Sequence, residues 1–254
     1  MTNPKRELSQ DELAHINTDY MYYATKGVKE GNPNAITIPA GFAPINEGMP
    51  SIARFYEKIY NNIESGKFPT FGEKSTNKRD YFQGLCWHSY DMYNGVASMK
   101  PVSELDLDLW KNQNDEIYNV AVKHGDGHLK AWITEFGFNL KKAGLRKTTI
   151  SDTSITRYQI ANEYYDLIDI FEQYQVDYCY AYFAKMDEMK YLNSIHFFRL
   201  FCNEEAIRWN GFNTIYHGLF LEPDETVGRG FYPRKKAYAI QKIFAGNGDL
   251  TKYK

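Results

Sequence analysis

The chain has 254 residues, with 30 basic and 32 acidic side chains and a formal charge of −2. That balance excludes a nucleic-acid binder, which needs a basic excess. A composition of 43% apolar and 24% charged residues excludes disorder as the main state and is that of a globular protein.

Taken in chain order, the pattern predicts a helix over about 11–31, with Ser9 and Asp11 as candidate caps and Leu13, Ile16, Tyr20, Tyr23 and Val28 at near-helical spacing. Gly31-Asn32-Pro33-Asn34 stops it. A short buried strand is expected at 35–42, weakened by Pro39. A second helix follows over about 51–65 with Ile52, Phe55, Ile59 and Ile63, and then a second strand over 80–90. The unit repeats, with a helix over about 105–123 closed by Gly125 and Gly127, and a third strand at 129–137. After a polar loop come a helix over about 154–174, a fourth strand at 176–183, an apolar run at 215–221 and a final helix over about 233–244. Helices alternating with four strands imply parallel strands joined by right-handed crossovers. The fold class is therefore α/β, either a small doubly wound sheet or part of a (β/α) barrel. With no interdomain linker in view, residues 1–254 are expected to form a single domain.

Aromatic residues are abundant, with 21 Tyr, 16 Phe and 4 Trp. Their flat apolar faces suit sugar binding, and they also fill cores. The three cysteines, Cys86, Cys179 and Cys202, have neither paired nor metal-type spacing, so no disulfide framework or zinc site is expected. The first residues carry no secretory apolar region, and no apolar run approaches the ~20 residues of a membrane helix. A cytoplasmic protein is expected if Met1 is the true start, with neither nucleic acid nor membrane as partner.

The chemistry is expected at the strand ends. Trp87-His88-Ser89-Tyr90 closes the second strand and Thr134-Glu135-Phe136-Gly137 the third. Alternation puts His88 with Tyr90, and Ile133 with Glu135 and Gly137. A carboxylate ending an apolar strand is costly to bury unless it is hydrogen bonded, and Tyr90 is a candidate donor. Either a structural or a functional role fits Glu135 at this point.

The segments Asp80-Tyr81-Phe82-Gln83-Gly84-Leu85-Cys86-Trp87-His88-Ser89-Tyr90 and Trp132-Ile133-Thr134-Glu135-Phe136-Gly137 resemble strands six and seven of the clan of retaining glycoside hydrolases with TIM barrels, which includes cellulase-like and β-xylosidase-like families. The stretch Glu30-Gly31-Asn32-Pro33-Asn34-Ala35 resembles the clan's turn into strand five. Tyr216-His217-Gly218-Leu219 and Pro233-Arg234-Lys235-Lys236-Ala237-Tyr238 resemble its ending after strand eight. The resemblance covers about residues 12–246 and implies the C-terminal half of a catalytic domain, a half-barrel of strands five to eight. It makes Glu135 the nucleophile, Tyr90 its holder, and His88, Trp87 and Tyr182 contacts to the sugar. No cofactor is implied.

Two departures stand out. The Trp that stacks under the sugar at strand eight is replaced here by Tyr182 and Phe183, with Tyr182 a platform or a core residue. The Asn-Glu that ends strand four is absent, so the acid/base residue is expected in a missing N-terminal half. Asn46-Glu47 and Asn203-Glu204 are weaker stand-ins that also read as ordinary loop pairs. His124-Gly125-Asp126-Gly127-His128 suggests a metal cluster but falls before a strand, where glycines cap helices. Arg208-Trp209-Asn210 would wall a sugar subsite or simply pack its loop. The expected function is hydrolysis of O-glycosidic bonds in an oligo- or polysaccharide. The alternatives are a non-catalytic carbohydrate-binding or assembly half-barrel, or self-association that covers the open sheet edges.

Overall fold

The structure is a computed structural model that describes residues 8–44, 50–66, 75–91, 101–137, 157–197, 201–202, 220–221, 232–233, 235–246 and 248–251. Two compact units are present. The first comprises Met1–Ser89, Asn112–Glu135 and Tyr191–His196; the second comprises Tyr90–Lys111, Phe136–Lys190 and Phe197–Lys254.

The first unit opens with helix α1 (Gln10–Gly31). Ser9, not Asp11, is its cap. The Glu12 N–H donates to Ser9 Oγ at 3.2 Å, and the Ser9 N–H donates back to Glu12 Oε2 at 2.9 Å, a capping box that satisfies two orphan donors. The face it buries differs from the expected one. Ala14, Thr18, Met21 and Thr25 are inside, whereas Leu13, Ile16, Tyr20, Tyr23 and Val28 are exposed, Tyr20 by 68%. Helix α2 (Pro50–Ser65) packs along α1. Thr18 turns its hydroxyl onto Ala14 O at 2.7 Å, so burial leaves it satisfied.

Residues 35–42 do not form the expected strand. Their one ladder contact is a parallel bridge from Phe42 to Trp87. Pro39 has no N–H to offer. The backbone of Cys86 is engaged instead by the Tyr56 phenol of α2, which accepts from Cys86 N–H at 2.9 Å and donates to Cys86 O at 2.7 Å. The second expected strand is real but shorter. Residues Lys78–Asp80 make a 3-10 turn, and the strand proper is β1 (Leu85–His88).

Helix α3 (Leu107–Lys123) ends in a Schellman turn. Gly125, at φ 82°, donates to Val122 O at 3.0 Å, and Asp126 N–H donates to Ala121 O at 2.8 Å. Strand β2 (Ala131–Phe136) then pairs in parallel with β1. The fourth expected strand is wrong. Helix α4 runs unbroken from Arg157 to Glu188, through 176–183, and the strand is β3 (Leu192–Phe197). No Gly or Pro interrupts 157–188, and Tyr178, Cys179, Ala181 and Tyr182 are all buried, so the β-type composition of 176–183 is overridden by a helix that packs this stretch into the core.

Strand neighbours run in chain order: the 35–42 segment, β1, β2, β3. A doubly wound sheet reverses its order at a switch point. None occurs among the described residues, so this α/β fold is singly wound, as in a (β/α) barrel segment.

The second unit is built on aromatic contacts. Tyr182 meets Trp110 edge-on at 4.9 Å and Phe136 at 5.6 Å, while Phe183 stacks on Phe197 and meets Phe244 edge-on. Phe244 ends helix α5 (Lys235–Phe244), which packs along α4. A small sheet that the sequence pattern does not announce joins β4 (Phe201–Cys202) in parallel to β5 (Phe220–Leu221), which pairs antiparallel with β6 (Tyr232–Pro233). Among the described residues, no helix is long and apolar enough to cross a membrane.

Candidate active site

Alternation along β1 sends Gly84, Cys86 and His88 to one face and Trp87 to the other. The Trp87 indole N–H donates to Asn114 Oδ1 on α3 at 2.8 Å, and the Ser89 hydroxyl donates to the same oxygen at 2.7 Å. The face opposite α3 carries the candidate site. There the Cys86 thiol and the Thr134 hydroxyl lie 3.1 Å apart. Burial pushes the Cys86 thiol pKa up, with a smaller opposing effect from Thr134, so this cysteine is an inert core thiol.

A register shift brings the two central residues together. Trp87 partners Ile133, but His88 partners Glu135, leaving Thr134 as the extra residue of a bulge. Regular pairing would set His88 against Thr134. The bulge instead re-aims Glu135, as bulges near active sites do. His88 Nδ1 lies 3.2 Å from Glu135 Oε2, and the Ser89 N–H donates to Glu135 O at 3.0 Å. The Glu135 side chain is 33% exposed and that of His88 17%.

Burial is the main influence on His88 and lowers its pKa below the ordinary histidine value, while the Glu135 charge acts in the opposite direction. At neutral pH the ring is therefore neutral. With Nδ1 beside the Glu135 carboxylate, the tautomer that carries its proton on Nδ1 is the favoured one. A neutral donor orients a carboxylate without cancelling its charge. The arrangement is suited to a carboxylate acting as a nucleophile or base at the open end of a strand.

Among the other expected site residues, Trp87 and Tyr182 are placed differently. Trp87 is fully buried against Asn114 and offers no face to a sugar, which corrects that expectation. Tyr182 lies within α4 rather than at a strand end. It is fully buried, with its hydroxyl on Asp91, so it is core and not a platform. Tyr90 is the first residue of the second unit. Asn46-Glu47, Asn203-Glu204, Arg208-Trp209-Asn210 and Tyr216-His217-Gly218-Leu219 lie outside the described residues.

At the C-terminal end of α3, before β2 begins, His124 stacks on Tyr60 at 4.7 Å, with Nδ1 2.9 Å from Glu64 and Nε2 3.3 Å from Glu57. Arg79 pairs with Asp126, which also accepts from the Tyr60 hydroxyl at 3.0 Å. These contacts lock helix ends together. Among the described residues, no cluster of His, Cys, Asp or Glu is arranged to hold a metal ion.

Two residues close to the pair, Gly41 and Thr134, were not foreseen. A glycine within an apolar run signals close approach, and that signal was present at Gly41.

No family model matches the chain, and no curated protein matches it. Among solved structures it is similar to native xylanase 10B from Thermotoga maritima, with 14% identity and a TM-score of 0.49 over 92% of this chain and 53% of that one. It is also similar to a beta-glucuronidase from an uncultured Clostridium sp., with 16% identity and a TM-score of 0.43 over 90% of this chain and 36% of that one. The chain thus spans about half the length of the xylanase and a smaller share of the glucuronidase.

Proposed function

We propose that the chain is the C-terminal half of a retaining glycoside hydrolase catalytic domain, acting on O-glycosidic bonds in carbohydrates. The observation that carries this reading is the His88–Glu135 pair, with Nδ1 and Oε2 3.2 Å apart at the ends of two parallel strands. The sequence resemblance described above points to the same two residues.

In this reading, Glu135 attacks the anomeric carbon and forms a glycosyl ester. His88 holds the carboxylate in line by donating from Nδ1, a role that replaces the expected sugar contact. Retention requires a second carboxyl group about 5–5.5 Å away to protonate the leaving oxygen and then activate water. That group is expected from an N-terminal half. Positive charge at the developing oxocarbenium ion is met by the Glu135 carboxylate.

The test is Glu135→Gln in the complete catalytic domain, assayed on aryl glycosides. Turnover is expected to vanish, and a slow aryl substrate is expected to leave a sugar ester on Glu135 in the unsubstituted protein, read by mass spectrometry. Turnover retained by the variant would overturn the assignment. Unchanged sugar affinity with no hydrolysis by any assembly would favour a non-catalytic binder instead.

A further inference from the structure

Gly41 lies where two side chains of the pair's neighbourhood converge. Its φ is outside the left-handed region, so the backbone does not demand glycine there. Space does. A Cβ built on Gly41 would lie within 3.0 Å of three atoms, namely His88 Nε2, His88 Cδ2 and Thr134 Oγ1. Each of these is tied elsewhere. The Thr134 hydroxyl is 3.1 Å from Cys86 Sγ, and the His88 ring lies with Nδ1 3.2 Å from Glu135 Oε2. The backbone cannot easily retreat, because the His88 N–H donates to Phe42 O at 2.9 Å, one residue beyond Gly41.

We infer that Gly41 is a positioning residue for the His88–Glu135 pair: the side chain it lacks is the space in which the His88 ring lies. Thr134 can escape an added methyl by turning its hydroxyl away from Cys86. The ring meets the methyl with two atoms and escapes only by swinging, which carries Nδ1 away from Glu135. The catalytic consequence rests on the reading of Glu135 as nucleophile, but the geometry of the pair does not.

The experiment is an NMR titration of the His88 ring in the 254-residue chain as wild type, E135Q, G41A and G41A/E135Q. In the wild type, E135Q removes the negative charge that raises the His88 pKa, so the titration shifts downward. In the G41A background the same substitution is expected to shift it little, because the pair is already parted. An equal downward shift in both backgrounds would overturn the inference.

A stability measurement covers a G41A protein too destabilised for the titration. Urea midpoints of G41A, H88A and G41A/H88A are expected to show that removing the ring restores much of what G41A loses. A loss from G41A that is undiminished in the H88A background would equally overturn it. These readouts need no turnover, so they fail independently of the E135Q activity assay.

Discussion

Asn114 accepts two hydrogen bonds at one fully buried oxygen, from the Trp87 indole and the Ser89 hydroxyl. Asn114→Ala strands both donors in the interior and is expected to destabilise the protein by about 2–4 kcal/mol in urea unfolding, against about 1 kcal/mol for Ser89→Ala. On the opposite face, His88 is held neutral by burial against a smaller effect of Glu135. Its folded pKa lies below the unfolded one, so the unfolded chain binds the proton first as the pH falls. The stability linked to His88 is therefore complete above about pH 6.5 and is lost as the pH drops toward the folded value. His88→Gln should flatten the stability profile in that window, read as urea midpoint against pH. His88 and Glu135 were legible in the sequence as candidate residues at two strand ends. Their contact was not, because it depends on a bulge that alternation alone cannot reveal.

At the scale of elements, α1 separates what periodicity shows from what packing selects. Its apolar residues Leu13, Ile16, Tyr20, Tyr23 and Val28 are exposed, and the buried face is made of Ala14, Thr18, Met21 and Thr25. Met21→Ala is expected to cost about 2–3 kcal/mol, and Tyr20→Ala to stay within about 0.5 kcal/mol, by thermal or urea unfolding. The reverse order would mean that the other face is inside. Helix α4 makes a related point. The run Val176-Asp177-Tyr178-Cys179-Tyr180-Ala181-Tyr182-Phe183 has strand-like composition, yet it continues a helix without a breaker and buries most of its circumference. The real strand, Leu192–Phe197, is short and mostly half-exposed, so its pattern was weak.

At the scale of the molecule, acid should act in two stages. The first is the His88 loss below about pH 6.5. The second involves carboxylates whose pKa values are lowered. For Glu57 the main cause is the Lys123 hydrogen bond; for Glu64, burial acts upward but Lys78 and His124 outweigh it. Asp11 is lowered by Lys58 and Asp108 by Lys185. These groups stabilise the fold above their unfolded values and lose that contribution as the pH falls through the folded ones, so unfolding should steepen below about pH 4.5. Because these pairs are largely exposed, 1 M salt should blunt the second stage and leave the part of the first that comes from burial. A single-stage, salt-insensitive acid transition would contradict this division.

The sequence by itself determined the α/β alternation, the helices α1, α2 and α3, the Gly125 cap and the two strand ends that carry the candidate site. Each of these is set by contacts a few residues apart, through period, caps and breakers. Tertiary structure decided which face of α1 is buried, that 176–183 is helix, that Trp87 and Tyr182 are core, and that a bulge sets Glu135 beside His88. Those outcomes depend on partners distant in the chain, such as Asn114, Phe136 and Tyr56, whose packing outweighs local preference.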